Sequence, residues 1–253
     1  MATCSYTVPD KNATGDNFYG GVICNQAYID YFWNTYGFHG NKAYWDDGWG
    51  WDDCCNTDKP LARAFNGCYA LTYSAQDYLN DSYSSPILNW GRRYVRENID
   101  NLRCFCGDGT AIARSKSGGL VEVYLGFFYT KDVPGRAETL IHESRHQGGK
   151  PHNANFPAGS TFGAGKSGAD STWDYEGAWM YGALYLWWYY AAGARTTSAL
   201  RERARQRGNR RHRQRVCYAS GLLDLIACRQ SRTRHHRRLR LPVRRRTKQE
   251  RSC

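Results

Sequence analysis

Apolar and polar positions alternate along the chain with two different periods, and the change of period marks its organisation. Residues 22–36 read as an aromatic-rich helix, and residues 60–74 and 86–102 as two more. In the last of these Trp90, Tyr94, Ile99 and Leu102 recur among charges at helical spacing. The period then shortens. Residues 110–113 and 120–129 read as strands joined through Gly118-Gly119, and Pro134-Gly135 ends the second. A helix over 136–147 follows, then a Gly/Ser-rich loop from Phe156 to Ser171. The most hydrophobic stretch runs from Trp173 to about Ala192, and residues 196–207 continue as a helix. Beyond Asn209 periodicity is lost. The pattern predicts an α+β domain, mostly helical, with a small sheet next to the 136–147 helix.

Within the hydrophobic stretch, Gly177 to Ala194 is uncharged over 18 residues, at the lower limit for a membrane span. Its many Tyr and the carboxylate of Glu176 at its start favour a buried core helix, so no membrane span is expected.

Charge divides the chain in the same place. From Arg201 to Cys253 there are 19 basic and 3 acidic residues, a net of +16, whereas residues 1–200 hold 16 basic and 20 acidic, a net of −4. The expectation is a domain over 1–209 and a disordered Arg-rich tail over 210–253. The tail can bind polyanions non-specifically; the body has no charge signature for nucleic acid.

Seven Cys lie in the body: Cys4, Cys24, Cys54, Cys55, Cys68, Cys104 and Cys106. With abundant Tyr and Trp and few Lys, they suggest a secreted, disulfide-bearing protein. The start, Met-Ala-Thr-Cys-Ser-Tyr, has neither the basic end nor the apolar run of a signal peptide, so a leader is expected to be missing from this chain.

Two stretches invite other readings. Residues 44–53 carry four Asp and three Trp, without the ligand order of a calcium loop, and are read as an irregular loop pinned by Trp packing and the Cys54/Cys55 pair. Gly165-Lys166-Ser167 mimics the end of a phosphate loop. The Gly that loop needs, with four residues between it and Gly165-Lys166, is Ser160 here, and no strand precedes it, which excludes a nucleotide site.

The chemistry is concentrated in residues 142–152. His142-Glu143-Ser144-Arg145-His146 has the form H-E-x-x-H. On a helix, residues four apart share a face, so His142 and His146 can point at one metal ion with Glu143 between them. Gly149 and His152 extend the run to H-E-x-x-H-x-x-G-x-x-H. The Gly is needed because the helix must stop and the chain turn back sharply to deliver a third imidazole. Three of the four His in the body fall in these eleven residues; His39 is the other.

This stretch resembles the metzincin metallopeptidases, a motif-level resemblance within the zincins. It implies a zincin-like domain, Zn²⁺ as cofactor, His142, His146 and His152 as ligands, Glu143 as general base, and a peptide or protein substrate. Zinc with three protein ligands keeps one position for water and lowers its pKa to about 7. Glu143 would take the proton and return it to the leaving amine. Glu176, on a later helix, is the alternative third ligand, since the gluzincins resemble that plan. The Met that metzincins hold in a tight turn has no clear counterpart: Met180 sits in a helical context. Asp170 and Asp174 are candidates to orient the imidazoles, and Arg145 is expected to point away from the two His. Two other classes remain open. One is a secreted, non-catalytic peptide- or sugar-binding module with a structural metal; the other is a membrane-attached hydrolase using residues 177–194.

Overall fold

Asp132 and Pro134 start the helix that most of the other described helices pack against. The Asp132 side chain accepts a hydrogen bond from the Gly135 N–H at 3.0 Å, and proline tolerates the first turn because its missing N–H has no partner there. The computed structural model describes residues 26–38, 59–75, 87–105, 111–158 and 160–216. In chain order they form α1 (Gln26–Thr35), α2 (Pro60–Tyr73), α3 (Ile87–Asn98), β1 (Asn101–Cys104), β2 (Ala113–Ser115), β3 (Leu120–Val123), α4 (Leu125–Tyr129), α5 (Val133–Gln147), β4 (Ala154–Asn155), β5 (Ser167–Ala169), α6 (Ala178–Ala192) and α7 (Ser198–Arg211), with a π-helical turn over His212–Val216. The fold is α+β and mostly helical.

Helix α5 is buried along its length from Val133 to Arg145, with α2, α3, α6 and α7 packed around it. The small sheet has the order β1-β3-β2, with β1 parallel and β2 antiparallel to β3. It is fixed to the end of α5 by Gln147. Its amide nitrogen donates to the carbonyls of Lys116 at 2.7 Å and Leu120 at 2.8 Å, and its amide oxygen accepts from the Gly119 N–H at 3.2 Å. The sheet therefore lies beside the helix of the H-E-x-x-H motif, as expected.

Several boundaries differ from the sequence reading. The stretch 120–129 is a strand only to Val123, after which Leu125–Tyr129 is a short helix. Phe127, Phe128 and Tyr129 are all buried in succession, which a strand with one buried face does not allow. Pro134-Gly135 opens α5 rather than closing a strand. Residues 101–104, read as the end of a helix, form β1 instead: α3 stops at Asn98, and the Asp100 and Asn101 N–H groups turn to the Gly119 carbonyl at 3.0 and 3.1 Å.

Helix α6 is the expected core helix, 15 residues long between α5 and α7. Among the described residues no helix is long and apolar enough to cross a membrane. Met180 lies within it and is buried. Helix α7 presents Leu200, Ala204 and Gly208, four residues apart, as its buried stripe. It continues through the compositional change at Asn209, because Arg207 and Arg211 on the same side meet Asp132 at 2.9 Å and Glu138 at 3.0 Å.

Cys68 on α2 is a buried free thiol, and Cys104 on β1 is also buried; burial pushes both thiols above their ordinary range. The Trp/Asp stretch 44–53 and Cys4, Cys24, Cys54, Cys55 and Cys106 lie outside the described residues.

Candidate metal centre

One turn of α5 separates His142 from His146, and their Nε2 atoms meet at 3.1 Å. The helix stops directly after them. Gly148 N–H bonds back to Ser144 at 2.9 Å and Lys150 N–H to Arg145 at 3.1 Å, with Gly149 between them at φ +81°. That left-handed residue reverses the chain and returns His152 to the helix. The His152 ring centroid lies 4.5 Å from that of His146 and 5.1 Å from that of His142. One ligand atom from each of the three imidazoles lies within 4.8 Å of the others, so the group can hold a metal ion.

The protonation pattern suits that role. His146 Nδ1 faces the Lys150 carbonyl at 2.8 Å, so it carries the proton and leaves Nε2 as a lone pair. His152 Nδ1 lies 2.8 Å from Oδ1 of Asp170, a fully buried carboxylate, with the same consequence. The other oxygen of Asp170 accepts from the Trp179 N–H at 2.9 Å, which ties the site to the start of α6. The Nδ1 atom of His142 is buried with no hydrogen-bond partner among the described residues. Burial, then His146 and His152, hold the His142 ring well below its ordinary pKa; burial and His152 likewise lower His146. Both rings are therefore neutral, as metal ligation requires.

Glu143 is buried on the same turn and borders the same space. Burial pushes its carboxyl up to about 8, Glu138 adds to this, and a backbone hydrogen bond from Ser115 on β2 opposes it. A cation held by the three imidazoles would favour the carboxylate form.

These groups line a cleft of about 990 Å³. Strand β2 lies on one side and Trp179 on another. The indole is nearly parallel to the His152 ring, at 8° and 5.3 Å, and 4.0 Å from His142.

No family model, curated protein or solved structure matches this chain.

Not every candidate from the sequence reaches the centre. Glu176 is exposed at the end of the 3₁₀ turn Trp173–Tyr175, in the left-handed conformation at φ 55°. What it contributes is its backbone carbonyl, which accepts from Arg145 Nη2 at 2.5 Å. It is not among the residues grouped for a metal. Asp174 is exposed in the same turn, so of the two aspartates only Asp170 meets one of the three imidazoles. Arg145 does point away from the imidazoles; it stacks 4.2 Å from the Tyr181 ring and donates to the Tyr94 hydroxyl at 3.2 Å.

Three features escaped the sequence reading: Trp179 against the imidazoles, Glu138 in the cleft, and a row of arginines from α7 and the turn after it. Two had signals. Glu138 lies four residues before His142 and so shares its helix face. Arg207, Arg211 and Arg215 are also spaced by four.

Proposed function

We propose that this protein is a zinc-dependent metallopeptidase that hydrolyses peptide bonds. The observation supporting this most is the convergence of His142, His146 and His152 with the buried carboxyl of Glu143 on one cleft. Three imidazoles form a donor set that suits zinc and leaves a coordination position open. Zinc in such a site acidifies water and polarises a carbonyl. Glu143, from the same turn of α5, accepts the proton of the attacking water and passes it to the leaving amine. Asp170 and the Lys150 carbonyl keep the His152 and His146 rings in the ligating tautomer. Strand β2 pairs with β3 along one edge and borders the cleft, where an extended peptide can lie alongside it.

The test combines metal analysis with proteomic cleavage. The purified chain should carry about one zinc per molecule. It should generate new termini in a mixed peptide library, lose this activity to a chelator and regain it with zinc. A folded chain that takes up no zinc, or that binds zinc and cuts nothing in the library, overturns the reading; the second result would leave a non-catalytic metal-binding module.

A further inference from the structure

The cleft beside the three imidazoles is strongly cationic. Seven Lys and Arg side chains line it against two Glu, Glu138 and Glu143. The cations are Lys131, Arg207, Arg210, Arg211 and Arg215, with Arg114 from β2 and Lys116 directly after it. Part of this charge is already matched, because Arg207 meets Asp132 at 2.9 Å and Arg211 meets Glu138 at 3.0 Å.

Arg215 differs. It is part-buried, its Nε has no hydrogen-bond partner among the described residues, and no carboxylate there pairs with it. Its guanidinium lies over aromatic rings instead, its central carbon 3.2 Å from the centroid of Phe162 and 3.7 Å from that of Trp179. Arg211 lies 4.7 Å from the same indole. Since Trp179 also touches His142 and His152, a single indole links the metal ligands to two guanidinium groups.

Burial and the adjacent Arg211 and Arg210 press the Arg215 guanidinium below its usual range, and Glu138 only partly offsets them. A guanidinium keeps its proton in a protein, so the cost of burying this charge, and then its repulsion by Arg211 and Arg210, remains for an anion in the cleft to relieve. Aromatic stacking holds the fork in place while leaving its N–H edge for a planar carboxylate.

We propose that the cleft selects peptides carrying an acidic side chain, Asp or Glu, close to the bond being cut, with the carboxylate received by Arg215 and its neighbour Arg211. This selectivity rests on the peptidase reading of the same site.

The experiment measures binding by fluorescence anisotropy. The full chain carrying Glu143→Gln is titrated into a labelled hexapeptide with one central Glu, and into its Gln twin. The Glu peptide should bind about tenfold tighter, the margin that one charge-assisted contact supplies. The margin should collapse in Arg215→Gln. Because the chain beyond Val216 is itself Arg-rich, both proteins keep that tail and differ only at residue 215. If Arg215→Gln fails to fold, Arg210→Glu at the exposed rim should narrow the margin by charge reversal. Equal affinity for the twins, or a margin that survives the substitution, overturns the proposal. Selective binding of the Glu peptide by a wild-type chain that cuts neither twin upholds the acidic preference and defeats the peptidase reading. Cleavage of both twins at equal kcat/KM does the reverse.

Discussion

His152 Nδ1 and Asp170 Oδ1 lie 2.8 Å apart, joining an imidazole from the turn after α5 to a fully buried carboxylate ahead of α6. Asp170 fixes the ring that the glycine turn brings back and, through the Trp179 N–H, fixes the wall beside it. Asp170→Asn keeps the size but loses the charge that favours this tautomer. Zinc affinity should fall roughly 10- to 100-fold, read by competition with a chromogenic chelator. Unchanged affinity would show that the contact only packs the loop.

The choice between the two candidate third ligands gives a second prediction. His152→Ala should remove bound zinc, whereas Glu176→Ala should leave the zinc content of the purified chain unchanged. Glu176 is exposed and serves through its backbone carbonyl, which the substitution preserves.

The glycine pair at the end of α5 predicts two different costs. Gly149 sits at φ +81° with open space where a Cβ would go, so Gly149→Ala should cost about 1–2 kcal/mol from backbone strain alone. At Gly148 a Cβ would lie 1.8 Å from the Tyr94 hydroxyl, which Arg145 holds. Gly148→Ala must therefore displace the Tyr94–Arg145 pair. Urea melts of the two variants, with a chemical-shift or fluorescence probe of Tyr94, separate these effects: only Gly148→Ala should disturb Tyr94.

Glu138 predicts the acid limit of stability. Burial alone would raise its pKa, but Arg211 and Lys131 hold the carboxyl below its ordinary value of 4.5. A folded-state pKa below the unfolded one gives stability that is fully present above pH 4.5 and is lost as pH falls through the lower folded value. Glu138→Gln should therefore lose about 3 kcal/mol at pH 7, where it strands Arg211, and should lose less than the wild type between pH 5 and 3. Parallel acid-limb slopes for the two proteins in urea melts would contradict this.

Much of the site's arrangement was legible because it is local. The four-residue spacing of His142 and His146 and the glycine stop before His152 lie within eleven residues, where helix geometry and the positive φ of Gly149 decide the outcome. The core helix α6 was legible for its unbroken apolar run. What was not legible depends on distant partners. Residues 101–104 follow a helical pattern until β3 offers a parallel neighbour. Residues 125–129 have strand composition, yet successive burial of three aromatics requires a helical turn. Asp170 and Asp174 were indistinguishable in sequence, and only the fold buries one against His152. The arginines of α7 looked like the start of a solvated basic tail because the carboxylates that hold Arg207 and Arg211 lie about seventy-five residues earlier, at Asp132 and Glu138.

The most direct measurement is peptide hydrolysis by the zinc-loaded chain compared with its Glu143→Gln twin, with zinc content determined on the same samples. Equal zinc in both, with cleavage by the wild type and none by the variant, is the predicted result. Equal zinc with the same rate in both, whether that rate is substantial or zero, would contradict the assignment of Glu143 as the base of a zinc peptidase.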